Sequence, residues 1–295
     1  MRKVILFILS VLFLSVFFAG CSSQKKDTVV IGAKNFTEQD ILGNVLKILI
    51  DEHTDLNTRV TFNLDSLVVY EAVKSGNVDL YVDYTGTVYG NYFGYTERKT
   101  PEEIFEISRK ELKEKFNILM LDQIGFNNTY TLSVRKDTAE KYNLKTISDL
   151  ARVSPELIIG ASIESFNRED SVKGVISAYG MNFKGEIAVE GNLRYTAIEN
   201  DEIQVTDAFS TDGMTMRYEL LTLEDDKGFF LAYYATVLVR GATAEKYPQL
   251  LTVMNKLLGK LDDNSMRDLN YRVDVLQEDP QQVARSFLKS AGLIK

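Results

Sequence analysis

Residues 28–50 read TVVIGAKNFTEQDILGNVLKILI, and this stretch decides the fold class. Thr28-Val-Val-Ile-Gly-Ala33 is a short β-branched run ended by glycine and alanine, the pattern of a buried strand. Thr37 then stands where a helix N-cap belongs, with Asp40 near the capping-box position. Ile41, Leu42, Val45, Leu46, Leu49 and Ile50 follow at helical spacing. Lys34-Asn35-Phe36-Thr37 therefore falls in a strand-to-helix turn, where outward backbone N–H groups favour anions. Residues 66–75 predict a second helix closed by Ser75-Gly76-Asn77, Val78-Asp-Leu-Tyr-Val82 the next strand, and Tyr84-Thr85-Gly86-Thr87 the next turn. Strand, helix and strand joined by short turns predict an α/β fold built from βαβ units with a mostly parallel sheet. Ligands of such sheets collect at the C-terminal ends of the strands.

Upstream, Arg2 and Lys3 precede a run from Val4 to Ala19 that is apolar except for Ser10 and Ser15. The run is short for a membrane span and has the length of a signal-peptide core. It ends in Phe18-Ala19-Gly20-Cys21, followed by Ser22-Ser23-Gln24-Lys25-Lys26. Small residues before the only cysteine of the chain resemble a bacterial lipobox. The expectation is a lipoprotein signal peptide over 1–20, a lipid on Cys21 and a tether over 21–27. More than one acyl chain on that cysteine anchors a protein stably to a membrane. The body is then extracytoplasmic, held at the bacterial cell membrane, and more acidic still once Arg2 and Lys3 are removed.

Composition narrows the function. The 295 residues are 45% hydrophobic and 26% charged, as in a folded globular protein. A net charge of -8 argues against nucleic acid, which requires a clustered basic face. One Cys and one His exclude an internal disulfide and argue against the common His/Cys zinc sites, and any Ser-His-Asp triad would rest on His53 alone. There is no G-x-G-x-x-G, Walker loop, G-x-S-x-G or H-E-x-x-H. Runs such as Glu224-Asp225-Asp226 and Asp262-Asp263 read as solvated faces. No enzyme, metal or cofactor is expected.

Residues 131–142, TLSVRKDTAEKY, align with residues 236–247, TVLVRGATAEKY, at eight of twelve positions. Either two strand-to-helix segments are alike by chance, or each is the strand and helix start that follow a crossing between lobes. On the second reading the chain runs lobe 1, lobe 2, lobe 1, with tight strand-like hinges because no Gly/Pro-rich linker interrupts it. Several aromatic residues also lie in predicted turns rather than on core faces: Tyr84, Tyr130, Phe209, Tyr233 and Tyr234. Each alone is more often core or interface packing than ligand contact.

From about residue 28 to the end the chain resembles the substrate-binding proteins of ABC importers for compatible solutes, of the glycine betaine, carnitine and choline type. The resemblance is carried by Gly32-Ala-Lys-Asn-Phe-Thr-Glu38, Ser75-Gly-Asn-Val-Asp-Leu-Tyr-Val-Asp-Tyr-Thr-Gly-Thr87, Gly125-Phe-Asn-Asn-Thr-Tyr130, Arg168-Glu-Asp170, Leu193-Arg-Tyr195, Asp207-Ala-Phe-Ser-Thr-Asp-Gly213 and Leu223-Glu-Asp-Asp-Lys-Gly-Phe-Phe230. It implies a two-lobed type II periplasmic-binding-protein fold with a ligand cleft between the lobes, lobe 1 being 28–127 and 234–295 and lobe 2 being 128–233. It further implies a monomer that works with an ABC permease and its ATPase.

The resemblance also implies an aromatic cage. Tyr84 and Tyr130 match cage tyrosines, Phe209 stands where many members have Tyr, and Tyr233 matches the cage residue after the Phe pair, with Tyr234 as its alternate. Lys34 and Arg168 match positions that hold a ligand carboxylate. Thr87 and Asn128 match polar positions of the pocket, and Asp207 and Asp212 are expected to brace a turn. The chemistry is sound: a trimethylammonium group has a permanent charge and no N–H donor, so aromatic faces suit it, at roughly 0.5–2 kcal/mol per ring. Three or four rings supply a substantial part of the roughly 8 kcal/mol of micromolar binding. The sequence departs from the family at Tyr81-Val-Asp-Tyr84, where Tyr-Pro-Glu-Tyr is common, and at Leu231-Ala232, where Pro-Pro is common; Ser162 to Asn167 is also atypical. Ligand identity therefore stays open between a quaternary ammonium compound and another zwitterion, such as ergothioneine or an amino acid. A sensor lipoprotein without a transport role is the remaining alternative.

Overall fold

The structure, a computed structural model, describes residues 28–189, 191 and 193–295. The signal peptide, the tether and the lipidation of Cys21 expected above lie outside the described residues.

In chain order the first part contains β1 (Thr28–Lys34), α1 (Thr37–His53), β2 (Asn57–Leu64), α2 (Ser66–Ser75), β3 (Leu80–Tyr84), a π-helical turn (Thr87–Tyr92), α3 (Pro101–Phe116) and β4 (Ile118–Asn127). The second part contains β5 (Tyr130–Arg135), α4 (Lys136–Tyr142), α5 (Ile147–Val153), β6 (Ile158–Ala161), α6 (Ile163–Asn167), α7 (Val172–Tyr179), β7 (Gly185–Ala188), α8 (Leu193–Glu199), β8 (Val205–Phe209), α9 (Met214–Arg217) and β9 (Leu220–Thr222). The chain then forms β10 (Tyr234–Arg240), α10 (Gly241–Lys246), α11 (Gln249–Met254), α12 (Asp263–Asp274) and α13 (Pro280–Ser290).

These elements make two five-stranded sheets, ordered β2-β1-β3-β10-β4 and β7-β6-β8-β5-β9. The molecule therefore has two lobes, and the chain passes between the sheets after Asn127 and again between Thr222 and Tyr234. In the first sheet β1 is parallel to β2 and β3, whereas β10 is antiparallel to β3 and β4. In the second, β6 is parallel to β7 and β8, whereas β5 is antiparallel to β8 and β9. The mostly parallel expectation thus holds only for the strands linked by local helices. A strand that arrives from the other lobe enters its sheet at the edge where the parallel strands end, and so runs the opposite way. Tyr130, the first residue of β5, faces Phe209, the last of β8. Ala235, at the start of β10, faces Tyr84, the last of β3. The segments 131–142 and 236–247 hold these two incoming strands and the helices after them, β5–α4 and β10–α10.

Local chemistry shapes the elements. Helix α2 begins where Asp65 accepts from the Leu67 N–H, and it ends at Gly76, whose φ of 83° places it in the left-handed region. Helix α1 departs from expectation. Its cap is the extended Phe36, Thr37 is already helical, and the Thr37 hydroxyl donates to Asp274 instead of closing the helix end. Strand β3 begins later than expected and runs through Tyr84, because pairing with β10 continues through Asp83 and Tyr84. Tyr84 therefore ends a strand rather than standing in a turn.

Both faces of the first sheet are covered. Ile41, Val45 and Leu49 of α1 pack with Ile31, Val237 and Phe287 on one side, and Val69, Val73 and Leu112 pack with Tyr81 and Leu238 on the other. In the second lobe Leu132, Ile147, Ile159 and Val175 form the main core, with a smaller cluster of Ala197, Ile198 and Ile203. Each such side chain contributes about 1.5–3 kcal/mol when fully buried. These two rigid cores leave the facing sheet edges, with their polar and aromatic strand ends, to form the space between the lobes. Among the described residues no helix is long and apolar enough to cross a membrane.

Candidate ligand-binding site

A cavity of about 490 Å³ lies where the strand ends of both lobes meet. Such a volume is typical of small-molecule sites. Tyr84 and Phe36 line it from the first lobe, Tyr130 and Phe209 from the second, and Tyr233 from the return crossing. Three of these rings touch in series. Tyr130 and Phe209 have centroids 4.7 Å apart, and Tyr130 meets Tyr233 edge-on at 5.8 Å. Tyr84 and Phe36 stack at 6.4 Å. The sequence singled out no role for Phe36, although it lies two residues after Lys34 in the segment read as a strand-to-helix turn. Tyr234 opens β10 opposite Asn127, and it is Tyr233 that lines the cavity. Burial pushes the Tyr84 and Tyr233 phenols well above their ordinary range, with Glu38 adding to the effect on Tyr84 and Tyr130 to that on Tyr233. Both rings therefore stay neutral at physiological pH.

Thr87 and Asn128 also line the cavity. Asn128 donates from its backbone to Tyr233 O at 3.1 Å and from its amide to Glu38 Oε1 at 3.0 Å. Glu38 had no role assigned from sequence, yet it is the most heavily bonded side chain of the wall. It is only 2% exposed. Tyr84 Oη (2.6 Å) and the Asn128 amide donate to Oε1, while Thr211 Oγ1 (2.7 Å) and the Asn270 amide (3.1 Å) donate to Oε2. Burial raises its carboxyl above the ordinary value, and the four donors offset this only in part. The signal available in the sequence was its place in the first turn of α1, where a helix N-terminus favours a carboxylate.

The two cations expected to hold a ligand carboxylate are placed differently. Lys34 is the last residue of β1, lines the cavity and is 3% exposed. It is neither a turn residue nor solvated. Its ammonium pairs with the buried Asp83 and stands 5.1 Å from the centroid of the Tyr84 ring. Asp83 accepts in addition from Tyr81 Oη and Tyr92 Oη, each at 2.7 Å, and from the Tyr84 N–H at 2.8 Å. The positive charge of Lys34 is thus cancelled locally.

Arg168 is not among the residues lining this cavity. It lines an adjoining cleft of about 540 Å³ that shares Thr87, Tyr130 and Tyr233 with the first. There it forks onto Asp170, with Nε at 2.9 Å and Nη2 at 2.6 Å. The reason is its position between α6 and α7, next to an acid of its own turn. The guanidinium that does line the cavity is Arg194 of α8. Its Nη1 donates to Gly191 O at 3.1 Å, and it stands 3.6 Å from both Asp207 and Asp212, with Nε lacking a hydrogen-bond partner among the described residues. Arg194 lay within a block of resemblance but was given no role.

Asp207 and Asp212 brace their surroundings. Asp207 accepts from Ser165 Oγ at 2.8 Å, and Asp212 accepts from the Met214 N–H at 2.9 Å and from Tyr195 Oη. Asp212 lines the cavity as well. Ser162 and Ser165 bond each other at 3.1 Å, so the atypical segment supports Asp207. Among the described residues no group of three His, Cys, Asp or Glu side chains is placed to hold a metal.

The turn after β8 also ties the lobes together. Arg267 Nε of α12 donates to Ser210 O at 2.9 Å, and the Asn270 amide donates to Thr211 O at 2.8 Å.

The sequence matches, over residues 27–290, the family described as the substrate-binding domain of the ABC-type glycine betaine transport system. It is 38% identical to the carnitine transport binding protein OpuCC of Listeria monocytogenes, covering 98% of this chain and 97% of that one. It is also 38% identical to the ergothioneine transport permease/ergothioneine binding protein EgtU of Helicobacter pylori, over 90% of this chain. The chain spans about half of that longer relative, 48% of its length. A crystal structure described as a glycine betaine/carnitine/choline ABC transporter superposes with a TM-score of 0.85 at 33% identity, covering 90% of this chain and 100% of that one.

Proposed function

The chain belongs to the family of substrate-binding domains of ABC-type glycine betaine transport systems, and from that premise we propose that it captures a trimethylammonium compound between its lobes for an ABC permease driven by an ATPase. Glycine betaine, carnitine and choline are the ligands in view. One observation carries the reading: Tyr84, Tyr130, Phe209 and Tyr233, contributed by both lobes, line a single cavity. Four neutral rings offer negative faces and apolar contact to a cation that cannot donate a hydrogen bond. Thr87 and Asn128 complete the wall.

A ligand carboxylate, where present, goes to Arg194, whose planar fork suits two oxygens. Arg168 then acts at the adjoining cleft, and Lys34 serves the wall through Asp83. The lobes divide as 28–127 with 234–295 and 128–233, and closure about the two crossings brings the second lobe's rings onto a ligand held by the first. The protein acts as a monomer, outside the cytoplasm, anchored by lipid on Cys21. Its role is binding rather than catalysis.

Calorimetric titration with glycine betaine, carnitine, choline and ergothioneine tests the reading. Saturable heat with at least one supports it, and no heat with any removes it. Ergothioneine is the second reading. Its support is the Helicobacter pylori relative together with a roomy cavity, since an eight-heavy-atom betaine takes up at most about 240 Å³ if each atom is given a water's share of roughly 30 Å³. A receptor for an ordinary amino acid would not use the rings, so Tyr84→Ala would leave its affinity unchanged.

A further inference from the structure

The wall of the cavity contains two cations and three carboxylates: Lys34 and Arg194, and Glu38, Asp212 and Asp274. Both cations already have carboxylate partners, Lys34 in Asp83 and Arg194 in Asp207 and Asp212. Asp274 accepts from the Thr37 hydroxyl. Glu38 is different. It is the most buried of these wall carboxylates, and among the described residues no Lys, Arg or His pairs with it. All four of its partners are neutral donors, from β3 (Tyr84), the crossing (Asn128), the turn after β8 (Thr211) and α12 (Asn270).

Four donors on two oxygens fill the lone-pair sites of an ionised carboxylate, and a carboxyl proton would have to displace an amide donor or reverse one of the two hydroxyl bonds. The network is therefore built for the charged form. Neutral donors satisfy the oxygens, but they do not supply the missing positive charge that a carboxylate buried this deeply calls for.

We propose that Glu38 is the counter-charge this cavity offers to a quaternary ammonium, and that the ligand itself is the cation completing its network. The proposal rests on the reading of the cavity as a trimethylammonium site and extends it to a residue that sets specificity for charge. A carboxylate with no free lone pair is suited to this task. It cannot take up a hydrogen-bond donor from a primary amine without releasing one of its four donors. A methylated nitrogen asks only for field and contact. Glu38 also holds the Tyr84 hydroxyl and, through Thr211, the wall of the second lobe, so the charge and the rings are fixed in one frame.

Linkage gives the sign. Burial raises the Glu38 carboxyl, so the free protein takes up this proton at higher pH than an exposed glutamate does. A bound cation favours the ionised form, so binding there must release protons, and affinity must fall as pH drops through the carboxyl range of Glu38. The other groups facing this region are Lys34 with Asp83, Arg194 with Asp212, and Asp274, with Asp40 on the same helix as Glu38. Of these, Asp40 and Asp274 also have raised carboxyls and are the competing sources of such protons.

The test is titration of the intact protein with choline, glycine betaine, carnitine and ergothioneine, across about pH 4 to 8 and in buffers of differing ionisation heat, for wild type, Glu38→Gln, Asp274→Asn and Asp40→Asn. With each compound that binds, wild type, Asp274→Asn and Asp40→Asn are expected to release protons on the acid side and to lose about tenfold in affinity for each unit by which binding shifts the carboxyl. Glu38→Gln is expected to bind about tenfold or more weakly at neutral pH, with no proton release. Should Glu38→Gln fold poorly, proton release that persists in both Asp274→Asn and Asp40→Asn assigns the proton to Glu38, because those two carboxyls are the competing sources. Binding without proton release, unchanged affinity in Glu38→Gln, or release lost in Asp274→Asn or Asp40→Asn instead would overturn the proposal while leaving the cage reading intact. Absence of binding by every compound would overturn both.

Discussion

Tyr130 and Phe209 are cross-strand partners, the first residue of β5 facing the last of β8, with ring centroids 4.7 Å apart. The pairing follows from the direction in which the chain enters its second sheet, and it places two rings at the cavity from one register position. Phe209→Ala and Tyr130→Ala should each weaken binding of a trimethylammonium ligand by roughly 0.5–2 kcal/mol, about two- to thirtyfold. Phe209→Tyr should bind within a few-fold of wild type. Calorimetry decides, and full affinity in both alanine variants would remove the rings from the site.

Lys34 and Asp83 form a buried pair, 4% and 0% exposed at the side chain. Lys34→Met strands the Asp83 charge and should cost about 3–5 kcal/mol of stability. Combining Lys34→Met with Asp83→Asn should recover much of that loss in urea unfolding. The double variant should also keep its ligand affinity, whereas a tenfold loss would mean that Lys34 holds the ligand directly.

Arg194 separates ligands by charge. Arg194→Gln should weaken glycine betaine or carnitine by about 1.5–3 kcal/mol, the worth of a charged hydrogen bond, and should affect choline, which has no carboxylate, far less. Parallel titrations measure the difference. An equal loss for both ligand types would assign Arg194 to the architecture alone.

Gly213 continues the contact with α12 that Ser210 and Thr211 make. A Cβ there would lie 2.4 Å from Tyr271 N and 2.6 Å from Tyr271 Cα, both backbone atoms that cannot swing aside. Gly213→Ala should therefore cost about 1–3 kcal/mol through overpacking, and it should loosen the turn that carries Thr211. Chemical unfolding and small-angle scattering would show lower stability and a wider separation of the lobes, and an unperturbed variant would place the hinge elsewhere.

Burial raises the carboxyls of both Asp40 and Asp274, with Asp274 adding to the shift of Asp40 and Asp212 to that of Asp274. The folded state thus holds these protons to higher pH than the unfolded chain. The stability linked to them is present below the unfolded value and is lost as pH rises through the folded one. Asp40→Asn should gain in melting temperature relative to wild type on going from about pH 3 to pH 7. Thermal melts at the two pH values check the sign.

Much of the frame was legible in the residues alone. The β-branched run at Thr28, the helical spacing from Ile41 to Ile50 and the Gly76 stop are local signals, decided within a few residues of one another. They yielded strand, helix and turn nearly in place, and the cavity aromatics stood out by type, although the turns predicted for Tyr84, Tyr130 and Phe209 are strand ends in the structure. The missed part is not local. Glu38 draws donors from Thr211 and Asn270, which lie 173 and 232 positions away. Arg194 rather than Arg168 lines the cavity because α8 packs beside β8, while Arg168 has an acid two residues along. Lys34 lost its free charge to Asp83 because β1 and β3 end side by side. By itself the sequence determined which segments are strands and helices and which residue types carry the chemistry, since backbone sterics and side-chain periodicity act over short range. Only the tertiary structure decided which charges remain uncompensated, because the partner of a buried charge is set by where the sheet edges meet.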